Sequence, residues 1–598
     1  MKNNILIKGF VALICIFITT NQLFAQFLPK GLTPEEKSIM KDYYFNNQNN
    51  TKGFHYPPVS KVRSAAEWEE IDGLIITWTS YTSVLTQIVK KSVNECKVYI
   101  VCSDSNSVKG ILNNSGVYSN NIKYVIAPYN SVWVRDYAAN NVYTNEVDSL
   151  LLVDWTYNRP RPKDDTLART MAKITGLPLY EMNQVPNKYV ATGGNYMSDG
   201  LGTAFSSKLI LDENAPNGGY NQNLTETDID SLTKKYLGIK KYIKFDNLPY
   251  DGIHHIDMHM KLLDEETILV GQYPMGAADG PQIEANLQYL LANHNSVFGT
   301  PYKIIRIPMP PQASNGSYPP NGDYLTYTNG VFVNKTFLYP TYYTQYDTIA
   351  QRIYEEALPG YNVVGINCNS TIPASGAIHC ITHCIASSDP LLIVHQAVKD
   401  TTISNFAQPY IEIKAYIKHR SGIQKAMMFY KNLNMTNYDS IVMQAVPGQA
   451  DYYSANLPYI IPVIKGIYLP YEYYIKAISN TGKIQQRPIT APNGSFKFTI
   501  NTPGKVDEIS DTKAIILGNI YPNPASAISC IPVESNYYTE IKISLHDMIG
   551  KEICQVFNGE IQKGKKNFFI NATDFAKGIY FIKLQSKNEI KIQKLIIK

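Results

Sequence analysis

The sequence predicts an α/β amino-terminal half followed by all-β modules, and three observations carry that prediction. From about Glu67 to His395, short apolar segments rich in Val, Ile, Leu and Tyr alternate with helical stretches. After about Val398 the helical stretches vanish and strands recur at the spacing of a β-sandwich. The 45 tyrosines among 598 residues also suit β-rich extracellular modules better than a helical bundle.

Taken in chain order, the first 26 residues carry Lys2 and Lys8, an apolar core from Phe10 to Ile18, and Leu23-Phe24-Ala25 before Gln26. This is the pattern of a secretory signal cleaved near Ala25, and the apolar run is too short to span a bilayer comfortably. No other long apolar run follows, so the mature chain is expected to have no transmembrane helix. Removing the signal removes Cys15 and leaves an odd number of cysteines, so at least one thiol is expected to lie outside any intramolecular pair. A net charge of +5 is small for this length and gives no reason to expect a nucleic-acid partner.

Strands are expected at 73–78, 97–103, 121–128, 149–155, 267–273, 303–310, 330–340 and 361–367, each bounded by Gly, Pro, Asn or Asp. Residues 83–94 place Val84, Ile88 and Val93 at helical spacing. Beyond Val398, the segments 409–419, 426–431, 471–479 and 496–500 read as the strands of an immunoglobulin-like sandwich. The polar stretch 501–513, with Pro and Gly, fits a linker. A last β unit runs from "IYPNPA" at 520–525, through "GIYFIKLQ", to the basic apolar strand that ends the chain.

Polar constellations collect in the α/β half. Arg135 and Asp136 stand beside Trp133 at an expected strand end, and Arg159 and Arg161 are stiffened by Pro160 and Pro162. Gly193, Gly194 and Asn195 form a segment where backbone can approach a ligand closely. His254, His255, Asp257 and His259 follow, then Asn329, then the octapeptide "GAIHCITH" around Cys380. Singly, each has a plain structural reading. Asp136 suits an ion pair with Arg135, and the two arginines suit a solvated basic edge. The histidine run, with His255, Asp257 and His259 alternating on one strand face, suggests a metal site, but it would need a fourth group and lacks the spacing of a zinc signature. Cys380 suits burial, or a disulfide with Cys384 that would strain the bond geometry. Together they are less bland. A thiolate nucleophile needs a histidine or a positive field. Two carboxylates suit a planar guanidinium, because each accepts paired N–H bonds.

With "AEWEE" at 66–70, "WVRDY", "TGGN", "HID" and "HC.TH" in that order, residues 60–395 resemble the agmatine-deiminase-like branch of the guanidino-modifying superfamily. The "NRPRP" and "YTN" segments resemble the bacterial peptidylarginine deiminases within it. The resemblance implies a five-bladed α/β propeller of ββαβ units. It implies Cys380 as nucleophile, His255 as general acid/base, Asp136 and Asp257 gripping the guanidinium, and Asn329 supporting the site. Arg159 and Arg161 would take the carboxylate of a C-terminal arginine beside Trp133. It implies no cofactor for catalysis, calcium included, while leaving room for a structural cation. Gly252 departs from the bacterial peptidylarginine deiminases that the chain resembles, where the resemblance implies a tyrosine three residues before the histidine. The tail resembles the C-terminal sorting domain of type IX secretion, implying that machinery as a partner and a released or surface-attached product.

The expected organisation is therefore a signal peptide over 1–25, a deiminase domain over 26–397, an immunoglobulin-like module over 398–502, a linker over 503–515 and a sorting domain over 516–598. The expected activity is conversion of C-terminal peptidyl-arginine to citrulline and ammonia. A deiminase of agmatine or free arginine, and a non-catalytic adhesin, are the alternatives.

Overall fold

A computed structural model describes residues 28–46, 53–216, 218, 220, 222–402, 410–459, 468–501, 515–587 and 589–598. The expected signal peptide, and all of the expected linker but Ile515, lie outside the described residues. Two compact units are present. The first comprises Met1–Met258, Asn329–Asn334 and Ile366–Ser388; the second comprises His259–Thr328, Lys335–Gly365 and Asp389–Lys598.

One small module recurs within the first unit: an antiparallel strand pair, a helix, and a third strand parallel to the second. Asn140–Thr144 pairs antiparallel with Leu150–Tyr157, the helix Leu167–Thr175 crosses over, and Leu179–Met182 returns parallel. Met197–Ser198 and Thr203–Ser207 repeat this with the helix Glu226–Leu237 and the strand Lys241–Phe245. His383–Ala386 pairs antiparallel with Ile71–Thr77, far away in sequence, and the helix Thr82–Ser92 leads to the parallel strand Lys97–Cys102. The physical basis is local. Thr82–Ser92 buries Val84, Leu85, Ile88 and Val89 at helical spacing. Glu226–Leu237 opens with a Thr225–Asp228 capping box and closes on Gly238 at φ 73°, a left-handed position that glycine adopts without Cβ strain. Leu150–Tyr157 is buried at every residue, as a strand covered on both faces must be.

The first described segment, 28–33, leads into the helix Pro34–Asn46. Its start is strongly coded. The Thr33 hydroxyl accepts from the Glu36 N–H at 3.1 Å while the Glu36 carboxylate accepts from the Thr33 N–H at 2.9 Å, with Pro34 in the first helical position. Met40 anchors the helix in a buried cluster with Val190 and Tyr220.

In the second unit, Met260–Leu262, Thr267–Gln272, the helix Gly280–Asn293 and Lys303–Pro308 form the same module. The rest of this unit's carboxyl-terminal part is all β. Strands Tyr410–Lys418 and Tyr452–Pro458 belong to one sheet, Ile423–Asn432 and Tyr468–Ser479 to another, and residues of both enclose Ile413, Met428, Leu457 and Ile475. From Ile515 onward, two further sheets enclose Ile531, Val533, Ile543, Leu584 and Leu595. The chain is thus mixed α/β with a carboxyl-terminal all-β region.

Three sequence expectations need correction. The single strand at 330–340 is two strands, Val331–Val333 and Thr336–Thr341, turned at Asn334 with φ 50°, a conformation asparagine tolerates. Asp136 does not end a strand but sits in the single helical turn Val134–Tyr137. Residues Ile256–Met258 form a 3-10 turn, so His255 and Asp257 do not share a strand face.

Candidate active site

Five short elements of the first unit deliver the site. The turn Val134–Tyr137 carries Asp136, and the 3-10 turn Gly193–Asn195 faces it, with the Gly194 N–H donating to Asp136 Oδ1 at 3.1 Å. Gly194 is required here by space. A Cβ on it would lie 2.5 Å from His255 Nδ1, 2.9 Å from Asp136 Oδ1 and 3.2 Å from Lys30 Nζ. His254 is held at φ 54°, and its carbonyl accepts from the Ser207 hydroxyl at 2.6 Å; this fixes the bend that delivers His255 and Asp257. Asn329 precedes the strand Val331–Val333, and Cys380 lies in the turn His379–Ile381.

Cys380, His255, Asp257, Asn329 and His379 are all fully buried, and Asp136 nearly so. Cys380 is a free thiol, so the alternative disulfide with Cys384 does not form. The Cys380 sulfur lies 3.2 Å from Asn329 Nδ2, which donates to it, and 3.6 Å from Asp257 Oδ2. Asn329 Nδ2 also reaches the Asp257 carbonyl at 3.3 Å, while the Asn329 carbonyl accepts from the His379 N–H. Asp136 Oδ1 is 3.7 Å from His255 Nδ1. Among the described residues, no group of three or more His, Cys, Asp or Glu is arranged to hold a metal ion.

Two groups that sequence reasoning assigned no role complete the arrangement. His379 bridges two carboxylates: Nδ1 meets Asp257 Oδ2 at 2.8 Å and Nε2 meets Glu67 Oε1 at 2.6 Å. Arg135 reinforces this line, pairing with Glu67 at 2.9 Å and donating from Nε to the His379 carbonyl at 3.2 Å. The second group is Lys30. Its ammonium is wholly buried, 2.7 Å from the Cys380 sulfur and 3.7 Å from Asp257 Oδ1.

The expected carboxylate-binding arginines are not a solvated edge. Arg159 and Arg161 are buried, and both hold the segment before the first helix. Arg161 grips Glu36 with two bonds, Nε to Oε1 at 2.8 Å and Nη2 to Oε2 at 3.1 Å. It also donates to the carbonyls of Pro29 and Gly31 at 2.7 and 3.0 Å. Arg159 Nε donates to the Lys30 carbonyl at 3.1 Å, and Trp133 Nε1 to the Leu28 carbonyl at 2.9 Å.

Burial and charge set the protonation states. Burial and the neighbouring Asp257 carboxylate push the Cys380 thiol up to about 12, against the pull of Lys30. Burial, then the Lys30 charge, lowers His255 to about 3. Burial works against both charges of the Lys30–Asp257 pair, yet Lys30 is held above the ordinary lysine value, chiefly by Asp257 and Cys380. Asp257 is held well below the carboxylate range by Lys30 and His379. The site is therefore a buried cation receptor with a sulfur at its floor. At Gly252 an added Cβ would meet nothing within 4 Å.

Several known proteins are similar to this chain. A Vibrio parahaemolyticus protein provisionally assigned as an agmatine deiminase is 26% identical over 294 residues, covering 44% of this chain and 77% of that protein. The solved agmatine deiminase of Campylobacter jejuni aligns at 21% identity over 56% of this chain and 98% of that one, with a TM-score of 0.46. The agmatine deiminase of Enterococcus faecalis aligns at 18% identity over 56% and 100%, with a TM-score of 0.49. Residues 519–598 match the secretion system C-terminal sorting domain, which supports secretion or surface attachment through the type IX machinery. Residues 63–385, more than half of the chain, match the model of one family of amidine-hydrolysing enzymes, and the chain belongs to that family, the Porphyromonas-type peptidyl-arginine deiminases.

Proposed function

We propose that the protein is an exported deiminase that converts peptidyl-arginine, preferably at a peptide C-terminus, to citrulline and ammonia. One observation carries the reading: a thiol and a carboxylate converge on a single buried cation, with Asp136 adding its charge. Asp136 and Asp257 would orient the guanidinium by paired hydrogen bonds and favour its charged form. As the Cys380 sulfur attacks the central carbon, its thiol proton would pass to His255, which would give it to the departing ammonia. His255 would then take a proton from the water that attacks the thiouronium. Asn329, donating to the sulfur, would steady the thiolate. No step uses a metal, so activity is expected to survive chelation of calcium. The pair Arg159 and Arg161, beside Trp133, supports a substrate that carries a carboxylate, because Arg161 already grips one.

In this reading the modules of the α/β part close into a five-bladed propeller. The domains are a cleaved signal peptide over 1–25, the deiminase domain over 26–397, an immunoglobulin-like module over 398–502, a linker over 503–515 and the sorting domain over 516–598.

The relatives provisionally assigned to agmatine favour a second reading, a deiminase of agmatine or free arginine. Citrulline or carbamoyl-amine release from agmatine, free arginine, an arginine-ended peptide and its amide separates the readings. Preference for the free-ended peptide supports the proposal, and equal rates on the amide remove the carboxylate requirement. Ammonia from no guanidino compound, in a folded chain with Cys380 intact, would leave an adhesive role.

A further inference from the structure

We propose that residues 28–46 act as an intramolecular pseudosubstrate, with Lys30 in the cation cage and Glu36 on Arg161, so that the chain is latched off until this segment leaves. The inference rests on the site's being the guanidinium receptor just described, although its first test does not need that reading.

The argument is one of stereochemistry. The Lys30 nitrogen and an arginine's guanidinium carbon are separated from Cα by the same number of bonds. Lys30 Nζ, 2.7 Å from the Cys380 sulfur, therefore marks the point where an arginine would present its electrophilic carbon. A lysine fills the cage but carries no amidine carbon, so it cannot be turned over. The flanking backbone is held as a substrate would be. Trp133, Arg159 and Arg161, three residues expected to bind substrate, donate to the carbonyls of Leu28, Pro29, Lys30 and Gly31. Arg161 takes its carboxylate from within the chain, at Glu36. The segment is a folded element rather than a stray terminus, since its helix is capped by Thr33 and Glu36 and anchored by Met40. With Lys30 in place the Cys380 sulfur is fully buried, and the lysine nitrogen occupies the position that an electrophilic carbon would have to take.

The first arm of the test measures alkylation of Cys380 in the full chain by chloroacetamidine, an amidinium electrophile, and by iodoacetamide. Glu36→Gln keeps the shape of the cap but weakens a charge-assisted clamp, and Lys30→Met empties the cage of charge. Both are expected to raise the alkylation rate at least about tenfold, because labelling follows the fraction of chains with the segment released. Rates unchanged or lower in both variants would overturn the proposal. If Lys30→Met fails to fold, Glu36→Gln alone decides.

The second arm is Lys30→Arg, read by mass spectrometry. Attack of the sulfur on the new residue's central carbon forms a C–S bond, the C–N bond breaks, and ammonia leaves with a proton. Water then adds and the C–S bond breaks. The expected product is citrulline at position 30, or, where water is excluded, a thiouronium cross-link between residue 30 and Cys380. Neither should form when Cys380 is also changed to Ser. Faster alkylation without conversion of Lys30→Arg would keep the latch and defeat the deiminase reading. Unchanged alkylation with turnover of added peptides would defeat the latch and keep the deiminase.

Discussion

Gly194 and His255 fit together so closely that a single methyl group on the glycine would lie 2.5 Å from the imidazole Nδ1. The same methyl would crowd the Asp136 carboxylate at 2.9 Å, so the missing side chain is part of the receptor's shape.

Gly194→Ala must displace His255 or Asp136, both of which are buried. The expected cost is about 1–3 kcal/mol of stability, typical of overpacking. The expected fall in kcat/KM on arginine-ended peptides is about a hundredfold, typical of a misplaced reacting group. Thermal unfolding and citrulline release measure the two effects. Full activity in the variant would mean that the cage is wider than described.

Glu67→Gln tests the line from Glu67 through His379 to Asp257. Glu67 touches no substrate atom and acts by positioning, fixing His379 against the carboxylate. Loss of one charge-assisted bond predicts about a tenfold fall in kcat/KM. The fall should appear mainly in KM, since Asp257 is proposed to hold the guanidinium in the ground state. Glu67→Asp should recover part of it. A loss confined to stability, with KM unmoved, would reduce the line to scaffolding.

His383 predicts a pH effect on stability. Burial, with the Arg135 charge, lowers it to about 3, and its Nε2 meets the Ala139 carbonyl at 2.9 Å. The ordinary histidine value applies in the unfolded chain, so between about pH 6.5 and pH 3 the unfolded state binds the extra proton. Stability from this residue is therefore present above that window and is lost as pH falls through it. At pH 5 the loss relative to pH 7 is about 2 kcal/mol for one such residue. His383→Gln, which keeps a donor, should lose about that much less over the same interval in urea unfolding. Equal losses in both chains would show that the ring is protonated in the native state.

Gly252→Tyr adds the aromatic that the resemblance leads one to expect, at an exposed position where a Cβ meets no atom within 4 Å. The change should be nearly silent in stability, within about 0.5 kcal/mol, as for an open surface site. Its effect should fall on the ratio of KM values for peptide and agmatine substrates, measured on the same preparation. A large drop in thermal midpoint would place the residue against structure rather than against solvent.

The sequence made the centre of the site legible because its residues sit in compact motifs. Cys380, His255, Asp257, Asp136 and Asn329 lie within one short span in the fold, and each was marked by its neighbours. Glu67 was visible inside "AEWEE", but its bond to His379 bridges 312 residues, which no local pattern reveals. Lys30 was hidden for the same reason, 350 residues from the sulfur it touches. The Thr33-Pro34-Glu35-Glu36 run announces a helix start, yet not where that helix docks. The repeated module is implied by the resemblance and not by periodicity, because several of its strands are too short for alternation to register, Met197–Ser198 having two residues and Met260–Leu262 three. Arg159 and Arg161 read as a solvated edge in a proline-flanked basic run, a pattern that does not reveal their burial.

One carboxylate has two employers. Glu36 Oε2 accepts the Thr33 N–H that starts the first helix and also the guanidinium of Arg161. Winding that helix and occupying the cage are thus a single cooperative event, because the helix cannot fray at its first turn without loosening the clamp. Agents that act on helix ends, such as ionic strength or a competing carboxylate at Arg161, would then act as a throttle on the sulfur from a distance.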